Sequence, residues 1–190
     1  MTKLIGLGGR LTSGKDTVSD HLVESGGWVK IGMSDALHKV LLTIDPFVEM
    51  PIQTNSGMGT RVVHYHTLFE SVGYTDSKKN TEVRRLLQVI GTEVGRKMFG
   101  EDVWVDIAAH NAQALMDQGY NVALTGIRFP NEVEAVHKLG GELWWVERPG
   151  LELGAPGEHE SEALTSDAFD RILSNDGTLE DLYGKIDRIF

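Results

Sequence analysis

The 190 residues contain no cysteine, so no disulfide can staple the fold, which suits a reducing compartment. No apolar stretch approaches the roughly 20 residues needed to cross a bilayer, and the short run after Lys3 does not read as a signal peptide. Cations are scarce: 18 lysines and arginines face 28 aspartates and glutamates, for a net charge of −10. A surface of that sign repels nucleic acid and anionic membranes as a whole, so any anionic ligand must be met by locally gathered cations. There is no internal repeat and no low-complexity tract. The expectation is one cytoplasmic domain, long enough to bury a core, with neither a nucleic-acid nor a membrane partner.

Against that background stands Gly9-Arg10-Leu11-Thr12-Ser13-Gly14-Lys15-Asp16-Thr17, directly after the apolar run Leu4 to Leu7. Two glycines five apart let backbone N–H groups turn toward an anion, the following helix points its positive end there, and the lysine reaches the outer phosphates. The pattern predicts a nucleoside triphosphate. One letter departs from it: Asp16 stands where a serine or threonine hydroxyl normally meets magnesium, and Thr17 comes one place later. A dinucleotide fingerprint is a poorer match: Gly6, Gly8 and Gly9 supply glycines, but Leu11 stands where its third glycine should be.

Strands are expected at Leu4–Leu7, Trp28–Met33, Asn121–Thr125, Glu142–Val146 and Phe169–Leu173. Helices are expected at Thr17–Ser25 (Val18, Leu22 and Val23 inward), from Ser34-Asp35 as its cap through Val40 and Leu41, at Thr81–Phe99, at Asp102–Met116, from Pro130 to His137, and at Thr178–Ile189 (Leu179, Leu182, Ile186 and Ile189 inward). Strands alternating with helices predict a parallel sheet covered on both faces, with ligands at the carboxyl ends of the strands. Thr43 to Asn80 breaks the alternation and reads as an insertion. In Thr81–Phe99, Val83, Leu86, Leu87, Ile90, Val94 and Met98 form one stripe, and Arg85, Gln88, Thr92 and Arg96 share a neighbouring face. Gly91 and Gly95 are awkward there; either they allow close approach of a ligand or partner, or they mark a break. Arg148 to Glu162 reads as a mobile loop.

Four strand ends then gather the chemistry: the cradle, Asp35, Arg128 and Arg148. Cations neutralise charge on a moving phosphoryl group while a carboxylate orients magnesium or an attacking oxygen. Each has a plainer reading, a helix cap for Asp35 and surface ion pairs for the arginines. His64-Tyr65-His66 puts two imidazoles on one face of a strand without a third ligand, and Glu158-His159-Glu160 lacks the second histidine of a metalloprotease helix. Trp104 reads most simply as packing.

Together Gly9 to Thr17, Leu87-Gln88-x2-Gly91-Thr92-x2-Gly95-Arg96, Trp104, Arg128-Phe129-Pro130-Asn131-Glu132, His159-x-Ser161-Glu162 and Asn175-Asp176-Gly177 resemble bacteriophage deoxynucleoside monophosphate kinases; the terminal loop is also similar to dephospho-coenzyme A kinases. The resemblance implies a P-loop kinase-type three-layer α/β/α fold with a five-stranded parallel sheet. Its core would be 1–42 and 101–190, with a helical acceptor-binding insertion at about 43–100 and a short lid at about 148–163. It implies phosphorylation of deoxynucleoside monophosphates by ATP with Mg2+, in the host cytoplasm if the chain is phage-encoded. Arg10, Thr12, Ser13, Gly14, Lys15, Asp16 and Thr17 would hold the donor phosphates, Asp16 and Thr17 the metal, and Asn175, Asp176 and Gly177 the adenine. Asp35, Arg85, Gln88, Thr92, Arg96, Trp104 and Arg128 would hold the acceptor, while Lys15, Asp35, Arg128 and Arg148 would carry catalysis. Family members often carry an aspartate two residues before the arginine equivalent to Arg128; this chain has Gly126, so Asp16 or Asp35 must substitute. A kinase of another small acceptor such as dephospho-coenzyme A, and a non-catalytic nucleotide switch, remain alternatives, and oligomeric state, a homo-oligomer included, is open.

Overall fold

Along the chain run β1 (Leu4–Gly8), α1 (Lys15–Glu24), β2 (Trp28–Gly32), α2 (Asp35–Ile44), β3 (Phe47–Thr54), β4 (Gly57–His64), α3 (Tyr65–Ser77) and α4 (Thr81–Gln88). A π-helical stretch, Val89–Phe99, continues α4. Then follow α5 (Val103–Asp117), β5 (Asn121–Thr125), α6 (Pro130–Lys138), β6 (Glu142–Glu147), β7 (Arg171–Ser174) and α7 (Leu179–Asp187). The computed structural model describes residues 2–55, 57–150 and 164–190. Most of the expected lid, with Glu158, His159, Ser161 and Glu162, lies outside the described residues.

The chain divides into two compact units: the stretch up to Met33 together with Val105–Phe190, and Ser34–Trp104. In the first, five parallel strands lie in the order β2-β5-β1-β6-β7. Side chains alternate along a strand, and here both faces are apolar. Ile5, Leu7, Ala123, Trp144 and Val146 meet Val18 and Leu22 of α1 and Leu182 and Ile186 of α7 on one face. Leu4, Val122, Leu124 and Leu143 meet Ala108 and Ala112 of α5 and Val136 of α6 on the other. The result is the expected three-layer α/β/α arrangement. Two inward assignments fail at helix edges: Val23 and Leu179 are exposed.

The second unit is not purely helical. β3 and β4 form an antiparallel ribbon in which Val48 faces Val63. These two are buried with Leu41, Tyr65, Leu68, Val83 and Ile90. Pro51 sits within β3, which a two-stranded ribbon with open edges tolerates because one side needs no N–H donor. Helix α2, read as core, packs in this unit through Leu41, whereas Val40 is exposed. Ser34 is at the N-cap but its hydroxyl meets the Tyr74 phenol at 3.1 Å instead of capping the helix, and Asp35 is the first helical residue. His64 ends β4 and Tyr65 opens α3, so His64 and His66 do not share a strand face. Both turn to Asp45: His64 Nδ1 is 3.2 Å from its carboxylate, and the His66 backbone N–H donates to it at 2.8 Å.

The apolar stripe of Thr81–Phe99 holds only as far as Ile90. Beyond it the i→i+5 pattern winds the chain less tightly than an α-helix and turns the later stripe residues outward; Val94 is 37% and Met98 72% exposed. The break has a visible cause in Trp104. Its indole N–H donates to the Gly91 carbonyl at 2.9 Å, and a Cβ at Gly95 would lie 2.4 Å from the ring nitrogen. Of the two meanings left open for these glycines, the break is the one found; what approaches them is the chain's own indole, not a ligand or partner.

Candidate active site

β1 ends beneath the cradle at the middle of the sheet, and α1 starts at Lys15. Gly14 occupies the N-cap with φ 106°, a left-handed conformation that favours glycine, and no side chain caps the helix. A helix start without a side-chain cap is a setting that suits an anion. Ser13 is 1% exposed and its hydroxyl lacks a hydrogen-bond partner, a buried polar group of the sort a phosphate oxygen would satisfy. Lys15 folds across the loop, its Nζ donating to the carbonyls of Gly9 at 2.7 Å and Arg10 at 2.5 Å. Arg10 and Thr12 are exposed on the same loop.

Asp16 turns to a residue that sequence reasoning missed. Lys30, within β2, donates to Asp16 at 2.9 Å and to Asp20 at 3.0 Å. Burial pulls the Lys30 ammonium down, but the two carboxylates outweigh it and hold its pKa above the ordinary lysine value. The only signal in the sequence is a lysine inside an otherwise apolar strand. Among the described residues no group of three or more His, Cys, Asp or Glu suits a metal. Magnesium asks for less, one or two carboxylates beside phosphate oxygens and waters. The Asp16 carboxylate and the half-buried Thr17 hydroxyl are hard oxygen donors of that type, so the donor set fits.

The string Arg128 to Glu132 has a structural logic. Pro130 starts α6 with its preset φ, and Glu132, 5% exposed, reaches back so that its Oε2 accepts from the backbone N–H groups of Arg128 at 2.6 Å and Phe129 at 3.1 Å. The buried carboxylate fixes the turn that presents the exposed Arg128. Arg148 is exposed just past β6. After β7 the Asn175 side-chain amide donates to the Ser13 carbonyl at 2.9 Å. Asp176 pairs with Lys185, which holds its carboxyl below the usual range. Gly177 abuts Asp181, which forms a reciprocal cap with Thr178 at the start of α7.

In the second unit Asp35 lies in the first turn of α2. Arg85 is exposed and bound through two nitrogens to Glu82, at 2.6 and 2.8 Å. Those bonds lower the Glu82 pKa and raise that of Arg85. Gln88 and Thr92 are exposed and Arg96 is half-buried along the continuing helix. Trp104 is placed by packing, as its plainer reading had it. Nearby His38 lies against Tyr74 at 4.0 Å and Phe69 at 5.0 Å between ring centres, and its Nε2 is buried without a hydrogen-bond partner.

An uncapped helix start, a lysine over a glycine-rich loop and a central parallel strand leading into both define the P-loop kinase class of α/β proteins. Within it, residues 37–186 match the family model for deoxynucleotide monophosphate kinase, and the chain belongs to that family. It is 33% identical over 109 residues to the deoxynucleotide monophosphate kinase of Escherichia phage RB69, an alignment covering 56% of this chain and 44% of that protein. The matched segment thus spans less than half the length of the phage protein. A relative in Acanthamoeba polyphaga mimivirus, provisionally named for the same activity, is 26% identical over 96% of this chain and 93% of its own. Among solved structures, dephospho-CoA kinase from Campylobacter jejuni has a TM-score of 0.50 at 15% identity, covering 99% of this chain and 95% of that one, a likeness of fold alone.

Proposed function

We propose that this chain transfers the γ-phosphoryl group of ATP to a deoxynucleoside 5′-monophosphate, giving ADP and the diphosphate. The observation that carries the reading is the cradle of Gly9 to Thr17, with an uncapped helix start and an orphaned Ser13 hydroxyl, in a chain of this family. An acceptor phosphate oxygen bonds to the γ-phosphorus as the bond to the ADP oxygen breaks, and ADP leaves with the electron pair. No covalent enzyme intermediate forms, so the protein's work is positioning and charge neutralisation.

Lys15 exchanges its two loop carbonyls for phosphate oxygens. Asp16 and Thr17 would hold magnesium, which would screen charge on the triphosphate. Arg128 and Arg148 supply cations at the transferred group, Arg128 from a turn held by Glu132. Asp35, Arg85, Gln88, Thr92 and Arg96 engage the acceptor, with Trp104 supporting the helix that carries them. For Arg85 this means leaving Glu82 for a phosphate, an exchange made easy because an exposed carboxylate pair is weak. The cell compartment is a cytoplasm, the host's if the chain is phage-encoded; no helix among the described residues is long and apolar enough to cross a membrane.

A coupled assay of ADP release with ATP and each deoxynucleoside monophosphate in turn tests the reading. ADP formation above the ATP-only rate is expected with at least one acceptor; rates equal to the ATP-only control with every one would remove it.

A further inference from the structure

We infer that Asn175 is a positioning residue for the phosphate cradle and does not line the pocket of the donor base; this rests on the donor-site reading above. Its backbone N–H donates to the Glu147 carbonyl at 2.7 Å, where β6 and β7 end side by side with Glu147 opposite Ser174. That bond fixes the start of the side chain. Its Nδ2 then donates to the Ser13 carbonyl at 2.9 Å, across 162 residues of sequence. A Cβ at Gly14 would lie 2.6 Å from that same Nδ2, so the amide is seated against the glycine as closely as a residue without a side chain permits.

The consequence follows from peptide geometry. In a planar trans peptide the C=O and the next N–H point in opposite directions. Holding the Ser13 carbonyl toward Asn175 therefore directs the Gly14 N–H to the opposite side of the loop. Glycine has little barrier of its own against rotating that peptide plane, since φ of either sign is open to it. The amide supplies the missing restraint and sets one N–H of the cradle before any ligand arrives. A side chain committed in this way contributes to phosphate binding whatever base is attached.

Inorganic tripolyphosphate separates the two roles, because it has phosphates and no base. Calorimetric titration of the whole chain with ATP and with tripolyphosphate is expected to show Asn175→Ala weakening both by the same factor, about tenfold, the range of one well-made hydrogen bond. Asn175→Asp, which sets an acceptor oxygen against the Ser13 carbonyl, should lose at least as much on both. Loss of ATP affinity with wild-type tripolyphosphate affinity would assign Asn175 to the base and overturn the inference, as would wild-type affinity for both. Wild-type protein that binds neither ligand would remove the donor-site reading and the inference with it. Should the variants melt below the assay temperature, exchange of the Asn175 side-chain amide protons in the wild type decides: protection both without ligand and with tripolyphosphate supports the contact with Ser13, and protection only with ATP overturns it.

Discussion

The two compact units hold their candidate site residues by different means. In the sheet-bearing unit the decisive bonds run to the backbone: Glu132 to the N–H groups of Arg128 and Phe129, and Asn175 to the Ser13 carbonyl. In Ser34–Trp104 two cations on the long helix bond to neighbouring side chains on the same surface, Arg85 to Glu82 and Lys97 to Glu93. A side chain tied to backbone is set before a ligand arrives, whereas an exposed ion pair on one helix face is readily exchanged for a stronger anion. The contrast suits a donor site that is preorganised and an acceptor site that adjusts. Substitutions should accordingly damage the rate in the first unit and apparent acceptor affinity in the second.

The largest effect belongs to Lys15. Lys15→Ala is expected to cut kcat by about 100- to 1000-fold, the usual size for removing one group that stabilises transition-state charge. The melting temperature should scarcely change, since Lys15 contributes nothing to either apolar face of the sheet. Turnover within a few-fold of wild type in a steady-state assay would show that the loop does not hold the reacting phosphates.

Next comes Trp104, where the comparison can be broken outright. Trp104→Ala removes a partly buried indole and its hydrogen bond to Gly91, and is expected to lower stability by about 2–3 kcal/mol. Gly95→Ala should act in the same direction by about 1–3 kcal/mol, because its Cβ would strike the ring. Denaturant midpoints read both. A raised acceptor KM with an unchanged midpoint would mean that the indole touches the nucleotide, and that this unit too has a preorganised group at its site.

How much was legible depended on which unit a residue occupies. The sheet was readable because buried parallel strands are short apolar runs closed by glycine turns, a pattern carried by neighbours in sequence. The ribbon was not: half its residues face outward, and Pro51, Gly57 and Gly59 look like loop punctuation. The π-helical turn was legible only in part: Gly91 and Gly95 signalled a break as one of two readings, but its cause, the Trp104 indole, comes from outside the helix. At the site, the cradle lysine, glycines and serine were readable as a motif, and the Arg128 to Glu132 string as a turn into a helix. The tie between Asn175 and Ser13 was not, because nothing local links residues so far apart. Nor was Lys30, whose meaning appears only when Asp16 and Asp20 stand opposite it.

Arg85 and Arg96 sharpen the comparison at a smaller scale. Arg85→Ala and Arg96→Ala are each expected to raise the KM for the acceptor about tenfold at saturating ATP, with kcat within a few-fold of wild type. For Arg85 the melting temperature should stay put, because the lost partner is a half-exposed Glu82 on the same helix face. A change confined to the KM for ATP would place these arginines on the donor nucleotide.

The smallest expected effect is a pH dependence within Ser34–Trp104. Burial among aromatic rings draws the His38 pKa below its ordinary value of about 6.5, the Lys78 ammonium adds to that, and Asp35 opposes it. The unfolded chain thus takes up a proton at a higher pH than the folded one, so stability is fully present above about pH 6.5 and declines as pH falls below it. His38→Phe keeps a ring against Tyr74 and Phe69 and removes both the titration and the unpartnered Nε2. The variant should match or exceed the wild type at pH 7.5, and its advantage in melting temperature should grow as the pH is lowered to 5. Parallel curves for the two proteins across that range would mean that His38 gains its proton in the folded state as easily as in the unfolded one, and that the aromatic packing around it imposes no electrostatic penalty.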